Sequence, residues 1–178
     1  MKLILLVGLR ASGKTTFMDI AKLYGISVYE MSYFFFKEMR DKGIEITQDN
    51  IRRFQVEERK RRGNDVFARI AWQSISLDNP PIAVVSGIRS MDEVIFFSKK
   101  GETLIVEIRS DDKVRYERVK QRNRPTDPKT FDEFVAREKA DIAVGLHDVI
   151  RSADITIENN GSVDEFERKV KRFISFIL

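Results

Sequence analysis

The sequence has no cysteine and a single histidine, His147. The absence of cysteine excludes disulfides, thiol chemistry and cysteine-based zinc sites, and one histidine cannot build a histidine-rich metal centre. Long apolar runs are also missing, because none approaches the roughly 18 residues that span a bilayer. The N-terminal apolar run is too short for a signal peptide and ends at Arg10. These absences predict a cytoplasmic protein with no membrane partner.

The composition is that of a globular domain with a charged surface. Of 178 residues, 42% are hydrophobic and 34% are charged, which suits one domain with a real core. Lysine and arginine outnumber aspartate and glutamate by 32 to 28, so the formal net charge is +4. A positive balance favours anionic ligands such as nucleotides, phosphates or nucleic acid, without choosing among them.

The most informative stretch is residues 8–15, Gly-Leu-Arg-Ala-Ser-Gly-Lys-Thr, which satisfies the phosphate-binding pattern G-x-x-x-x-G-K-[ST]. Residues 3–7 before it form a continuous apolar run typical of a buried parallel strand, and helical spacing follows it. The glycines let backbone N–H groups point into one cavity, and a helix N-terminus adds positive charge. Lys14 is expected to reach the β- and γ-phosphates of ATP, and the Thr15 hydroxyl to bind Mg²⁺. The predicted nucleotide-binding residues of this loop are Gly8, Arg10, Ala11, Ser12, Gly13, Lys14, Thr15 and Thr16.

Strands and helices alternate along the rest of the chain. Apolar runs predict further strands at residues 26–30, 82–85, 103–108 and 154–158. Helices are predicted between them, and three of these helices start at S/T-x-x-E capping boxes, which begin at Ser90, Thr130 and Ser162. The helix after Thr130 is expected to continue to Leu146. This alternation predicts an α/β fold, with a parallel sheet and helices on both faces.

Together with the phosphate loop, three segments resemble the P-loop nucleoside monophosphate kinase superfamily. Residues 87–90, Gly-Ile-Arg-Ser, are similar to the Asp-Gly-Phe-Pro-Arg segment of adenylate kinases. Residues 118–124, with Arg137, resemble the arginine-bearing lid of these kinases, and residues 151–161 are similar to the ending of dephospho-CoA kinases. More narrowly, the whole chain resembles small archaeal proteins related to adenylate kinase and dephospho-CoA kinase.

The resemblance implies a fold and a domain organisation. The fold is a three-layer α/β/α P-loop NTPase fold, with a five-stranded parallel sheet in the order 2-3-1-4-5. Residues 1–178 would form one kinase domain, with an acceptor-binding helical region at about residues 32–64 and a lid at about residues 122–138. ATP and Mg²⁺ are the implied cofactors. No oligomeric state follows from the sequence.

The resemblance also implies roles for single residues. Arg89 would grip the acceptor phosphate, because a guanidinium is a planar fork that matches phosphate and keeps its charge. Arg118 would stack on the donor adenine, or lie on a solvated basic helix face. Asn160 and Gly161 would lie beside the donor base, or form an ordinary turn. The residues implied to be catalytic are Lys14, Arg89, Arg122 and Arg137, with Arg124 assisting.

The sequence departs from the adenylate kinase pattern at two places. The acceptor-site arginine after the second strand is absent, since residues 31–36 read Met-Ser-Tyr-Phe-Phe-Phe, and Arg40, Arg53 and Arg59 are the alternative substitutes. Ser86 stands where that family has an aspartate that helps to organise Mg²⁺. The aromatic run at 33–36 either walls an acceptor-base pocket or, as we favour, belongs to the core. The implied acceptor-binding residues are Ser32, Phe36, Arg40, Arg59, Gly87 and Arg89.

The implied function is phosphoryl transfer from ATP to AMP or a related nucleotide. Dephospho-CoA is the alternative acceptor within the same class, because residues 151–161 favour it while residues 87–90 favour AMP. A nucleotide-regulated ATPase or RNA-binding protein is a second class. The basic cluster at 59–62 could follow a phosphate backbone, together with a predicted helix that carries Arg115, Arg118 and Arg122 on one face. The sequence contains no evident RNA-binding motif, so nucleic acid is the less favoured partner.

Overall fold

A five-stranded parallel sheet carries the part of the chain that the structure describes. The computed structural model describes residues 1–122 and 127–178, except for the side chains of residues 48, 140, 141, 143 and 144. The strands are β1 (Lys2–Val7), β2 (Ser27–Glu30), β3 (Ile82–Ser86), β4 (Glu102–Arg109) and β5 (Ile155–Glu158). Their order across the sheet is β2-β3-β1-β4-β5, and neighbouring strands are parallel. The predicted α/β fold and the implied strand order are therefore confirmed.

Helices connect the strands and cover both faces of the sheet. The helices are α1 (Lys14–Leu23), α2 (Met31–Asp41), α3 (Gln48–Arg62), α4 (Val66–Asp78), α5 (Met91–Ser98), α6 (Asp112–Arg122), α7 (Phe131–Asp141), α8 (His147–Arg151) and α9 (Val163–Ile177). A π-helical turn at Ile142–Leu146 joins α7 to α8. Over the described residues, none of these helices has the length and apolar character needed to cross a membrane.

The central strand β1 is buried on both faces, which explains its continuous apolar sequence. Leu3, Leu5 and Val7 belong to a core shared with buried side chains of α2, α4, α5 and α8. Ile4 and Leu6 belong to a second core, which α1 and α9 close from the other side. Because successive side chains of a strand point to opposite faces, one short run supplies both cores.

The capping boxes hold as expected at two of the three predicted helix starts. Ser90 and Ser162 each accept a hydrogen bond from the backbone of the glutamate three residues later, and that glutamate bonds back to the serine N–H. Thr130 caps α7 in the same way, by accepting from the Glu133 N–H. However, the Glu133 carboxylate accepts from the Lys129 N–H at 2.8 Å, one residue before the cap. The third helix start is therefore an N-cap without a complete capping box, because its glutamate bonds the N–H one residue before the cap.

The prediction of one helix from Thr130 to Leu146 is wrong. The chain leaves the helix at Gly145, where φ is +110°, and α8 starts at His147. A Cβ atom at Gly145 would lie 3.5 Å from the Arg89 carbonyl oxygen. The break therefore lets the backbone pack against the turn that follows β3, an interaction that helical periodicity does not reveal.

Candidate active site

The phosphate loop between β1 and α1 has three residues with a left-handed backbone. They are Gly8 (φ +145°), Ala11 (φ +59°) and Gly13 (φ +115°). A Cβ atom at Gly8 would collide with the Ile108 carbonyl oxygen, and one at Gly13 would collide with the side chain of Asn159. Glycine is required at both positions, because both the backbone conformation and the surrounding space exclude a side chain.

The loop brings the N-terminus of α1 and the Lys14 ammonium group together. Among the described residues no side chain caps α1 at Gly13, and a helix N-terminus is a place where backbone N–H groups bind anions. Lys14 Nζ donates to the carbonyl oxygens of Gly8 at 2.7 Å and Leu9 at 2.9 Å, which holds the ammonium against the loop. Thr15 is exposed. This donor set of amides, one ammonium and one hydroxyl fits a Mg²⁺-bound polyphosphate.

The end of β5 anchors the loop. The side-chain amide of Asn159 donates to the Ser12 carbonyl oxygen at 2.7 Å. Arg118 donates to the backbone and side-chain oxygens of Asn159 at 3.0 and 3.1 Å, and to Ser110 Oγ at 3.0 Å. Burial lowers the pKa of the Arg118 guanidinium. These bonds fix the phosphate loop relative to the last strand and to α6.

Sequence reasoning missed Asn159 and named its neighbours Asn160 and Gly161. Asn159 is buried, whereas both neighbours are exposed, and Asn160 Oδ1 accepts from the Asp111 N–H at 2.8 Å. No local signal distinguishes the two asparagines, because the burial of Asn159 comes from the loop packed against it. The roles of Arg118 beside the adenine and of Asn160 and Gly161 beside the base stay predictions.

A buried arginine links the phosphate loop to the predicted lid. Arg115 has no exposed surface, and it donates to both carboxylate oxygens of Glu138 on α7. It also donates to Asp112 at 2.7 Å and to the Arg10 carbonyl oxygen at 3.1 Å. From the sequence, Arg115 was only one of several arginines on the face of a helix. The structure shows that it joins α6, α7 and the loop.

Two further arginines of the predicted lid, Arg122 and Arg137, lie among the described residues of α6 and α7. Arg122 forms an ion pair with Asp127 at 2.6 Å, and Arg137 is half-buried on α7. Arg124 lies outside the described residues. Whether Arg122 and Arg137 close on phosphates stays a prediction, as do the bounds of the lid.

A cavity of about 230 Å³ lies beside the phosphate loop, where β1, β2 and β3 end. One part of its lining is apolar: Met31, Phe35, Phe36, Ile51 and Phe67. The other part is polar or backbone: Arg10, Ser32, Gln55, Arg59, Gly87, Arg89 and Glu93. A ligand in this cavity would meet both aromatic rings and charged groups, which suits a small anionic molecule with an apolar part.

The cavity gathers most of the predicted acceptor-binding residues but not all of them. Ser32, Phe36, Arg59, Gly87 and Arg89 line it. Arg40 is exposed on α2 and does not belong to the lining, and the alternative Arg53 is likewise exposed on α3.

The aromatic run at 33–36 serves two purposes. Phe35 is buried in the core, where its ring centroid lies 5.4 Å from that of Phe54 and 5.1 Å from that of Phe67. The same residue and Phe36 line the cavity, whereas Tyr33 is 60% exposed. Phe35 therefore belongs to the core, as favoured, and also lines the cavity together with Phe36. That the run walls a pocket for an acceptor base stays a prediction.

Sequence reasoning placed Glu93 only in a capping box. The structure adds a second task, because Glu93 Oε1 accepts a hydrogen bond from Arg59 at 3.1 Å across 34 residues of sequence. Burial raises the pKa of Glu93, and the charge of Arg59 and the N–H groups of Arg89 and Ser90 oppose that shift. All of these contacts on the carboxylate are hydrogen-bond donors, the pattern expected of an ionised group.

Comparison with known proteins agrees with this architecture. The family profile described as "AAA domain" matches residues 7–135, which include the phosphate loop. A UPF0200 protein of Hyperthermus butylicus is 39% identical over 173 residues, which cover 97% of this chain and 93% of that protein. The chain belongs to the UPF0200 family. Another UPF0200 protein, from Pyrococcus horikoshii, is 33% identical and covers 99% of this chain and 97% of its own length.

Solved structures show which fold this UPF0200 chain shares. TT1252 from Thermus thermophilus has a TM-score of 0.68 at 16% identity, covering 99% of this chain and 97% of that one. A dephospho-CoA kinase from Campylobacter jejuni has a TM-score of 0.60 at 17% identity, covering 99% and 98%. A shikimate kinase from Acinetobacter baumannii, solved with shikimate, has a TM-score of 0.56 at 16% identity, covering 98% and 92%. The fold of this UPF0200 chain is that of P-loop kinases.

Proposed function

We propose that this protein transfers the γ-phosphoryl group of ATP to a small anionic acceptor, with AMP or a related nucleotide favoured. One observation carries the proposal: Arg10 belongs to the phosphate loop and also lines the cavity that Arg89 and Gly87 border. An acceptor in that cavity would therefore lie beside the phosphates of the donor. Proximity of this kind lowers the barrier because the two reactants are already oriented.

The transfer needs no covalent intermediate. An oxygen of the acceptor phosphate forms a bond to the γ-phosphorus, while the bond to the bridging oxygen of ADP breaks. Lys14 and the loop amides stabilise the charge on the β- and γ-phosphates, and Arg89 orients the acceptor. Thr15 would hold Mg²⁺ together with phosphate oxygens, since the described residues contain no cluster of three or more metal-binding side chains. Arg122 and Arg137 would close over the phosphates from the lid.

A dephospho-CoA kinase-like activity is the second candidate. The contact that favours it is the hydrogen bond from the Asn159 amide to the phosphate loop, because Asn159 belongs to the segment that is similar to dephospho-CoA kinases. The C. jejuni dephospho-CoA kinase also covers nearly the whole chain. The acceptor group would then be a hydroxyl, and its proton would have to leave during transfer.

The RNA-binding alternative loses support from the packing of residues 59–62. Arg59 pairs with the buried Glu93, and Arg62 pairs with Glu38 and Glu58. Arg61 pairs with Glu58 at 2.7 Å as well, so three of the four basic side chains are engaged with carboxylates of the fold. The remaining basic side chain of this cluster, Lys60, is exposed, and one lysine is not a stripe that could follow a phosphate backbone.

The experiment that tests the proposal is a coupled assay of ADP formation with Mg²⁺, ATP and either AMP or dephospho-CoA. We expect acceptor-dependent turnover with AMP, and a loss of at least about 100-fold in Lys14→Ala, because the charge on the phosphates loses its main cation. Lys22→Ala is the matched control, since Lys22 lies at the other end of α1 in an exposed pair with Asp19. If the protein turns over with dephospho-CoA but not with AMP, dephospho-CoA replaces AMP as the proposed acceptor. Undiminished transfer by folded Lys14→Ala protein would remove the donor site.

A further inference from the structure

Arg59 is held in place more firmly than a surface arginine. Its side chain is 11% exposed, and it donates to the fully buried carboxylate of Glu93 at 3.1 Å. Its guanidinium carbon lies 5.0 Å from the centroid of the Phe67 ring. An ion pair on one side and a ring on the other fix both the position and the plane of the guanidinium group.

The same carboxylate also holds the turn that carries Arg89. Glu93 Oε2 accepts from the backbone N–H of Arg89 at 2.7 Å and from that of Ser90 at 3.3 Å. One oxygen of Glu93 therefore fixes Arg59 and the other fixes the Arg89 backbone. A single buried side chain therefore links the Arg59 guanidinium to the backbone of Arg89.

Arg59 also keeps one donor that the described protein does not satisfy. Its Nε atom is buried and has no hydrogen-bond partner among the described residues. A buried donor without a partner is unfavourable, so a ligand oxygen that accepts from it gains more than it would at an exposed site. Because Arg59 lines the cavity, such an oxygen can come from a molecule bound there.

We infer that Arg59 binds the oxyanion of the acceptor, and that Glu93 is a positioning residue which holds Arg59 and the Arg89 turn in register for it. The ligand class is a small molecule that carries a phosphate monoester or a carboxylate. The inference deepens the proposed function and rests on the acceptor lying in the cavity. It assigns to α3 the acceptor arginine that the chain lacks after β2, and it decides among the three arginines that the sequence left open.

The probe is inorganic phosphate, titrated by calorimetry into protein whose donor site is filled with Mg²⁺ and a non-hydrolysable ATP analogue. Arg59→Lys keeps a positive charge beside Glu93 but loses the planar fork, so it preserves the buried pair. We expect it to weaken phosphate binding about tenfold. Arg53→Gln and Arg40→Gln are matched arginine controls, and both are expected to stay within about twofold of the wild type.

A second set of variants tests the role of Glu93. Glu93→Asp keeps the charge but withdraws the carboxylate by about 1.5 Å, the length of one C–C bond. We expect a loss of about three- to tenfold in phosphate affinity, and no further loss when it is combined with Arg59→Lys, because both act through one guanidinium. Ser90→Ala weakens the same helix cap without touching Arg59, so it should lower the melting temperature and leave phosphate affinity unchanged.

Several outcomes overturn the inference. They are a wild type that binds no phosphate up to tens of millimolar, an Arg59→Lys variant that binds it normally, and a control arginine whose loss is equally large. Equal effects of Ser90→Ala and Glu93→Asp would reduce Glu93 to a helix cap. Acetate is titrated in parallel. The probe that binds more tightly, phosphate or acetate, identifies the preferred oxyanion.

The coupled assay with AMP separates this inference from the proposed function. If AMP is phosphorylated and its KM is unchanged in Arg59→Lys, the proposed function stands and the inference is wrong. If AMP is not phosphorylated but phosphate binding depends on Arg59, the inference stands and the acceptor is a different oxyanion. An increase in the KM for AMP with kcat within about twofold supports both.

Discussion

Asn159 and Ser12 are 147 residues apart in the sequence, and the Asn159 amide donates to the Ser12 carbonyl oxygen at 2.7 Å. This bond joins the last strand of the sheet to the phosphate loop that follows the first. The carbonyl of Ser12 is thereby satisfied without a contact inside its own loop. The loop is thus shaped by both local glycines and a distant side chain.

Removing the Asn159 amide should loosen the loop. In Asn159→Ala the Ser12 carbonyl and Arg118 both lose a buried partner, so we expect a loss of about 1–3 kcal/mol in the free energy of unfolding. The dissociation constant for Mg²⁺-ATP should rise several-fold, because the loop amides are no longer held in one arrangement. Urea unfolding and calorimetric titration measure the two effects.

The neighbouring asparagine is the control for that experiment. Asn160 is exposed, so Asn160→Ala should change the free energy of unfolding by less than about 1 kcal/mol. Equal unfolding midpoints for the two variants would contradict the anchoring role of Asn159.

The buried pair of Arg115 and Glu138 gives a second prediction. Glu138 is 7% exposed in the wild type, so Arg115→Met leaves a buried carboxylate without its cation, which should cost about 3–5 kcal/mol of stability. Because a buried charge pair can be replaced by apolar groups at little cost, the double variant Arg115→Met/Glu138→Leu should recover most of that loss. Urea unfolding of both variants checks the prediction.

An exposed pair on the same helix serves as the control. Lys120 pairs with Glu117 at 3.0 Å with half of its side chain exposed, so Lys120→Met should change stability by less than about 0.5 kcal/mol. A double variant no more stable than Arg115→Met would show that the pair does not account for the loss.

The lowered pKa of Glu58 predicts how the free energy of unfolding depends on pH. It accepts hydrogen bonds from Lys42, Arg61 and Arg62 at 2.7–3.0 Å. Burial alone would raise its pKa, but the bonds from these three cations outweigh burial and lower the pKa of Glu58 from 4.5 to about 2. A folded-state pKa below the unfolded value means that the stabilisation is complete above about pH 4.5 and is lost as the pH falls towards 2.

The test is urea unfolding of wild type and Glu58→Gln between pH 7 and pH 3. The variant should be less stable by about 1–3 kcal/mol at pH 7, and its stability should fall less steeply below pH 4.5, because it has lost the group that takes up a proton there. Parallel curves for the two proteins over this range would contradict the assignment. A structural loss alone would lower the curve without changing its slope.

The predictions from the sequence succeeded where the determining interactions are local. The phosphate loop depends on glycines and a lysine within eight residues, and the caps at Ser90 and Ser162 depend on residues three positions apart. The prediction failed at Gly145, because apolar residues continue at helical spacing on both sides of it. What ends the helix there is packing against the turn after β3, which a helical pattern does not contain.

The sequence by itself determined the strand-loop-helix unit around the phosphate-loop motif, the apolar faces that form two cores, and the kinase resemblance that implies the strand order. Only the tertiary structure decided which of several chemically identical residues line the cavity or contact the phosphate loop. Arg59 lies in the cavity while Arg40 and Arg53 are exposed, and Asn159 rather than Asn160 contacts the loop. The physical reason is that burial and hydrogen bonding between distant segments depend on where a residue lies in the fold, and residue type alone does not determine that position.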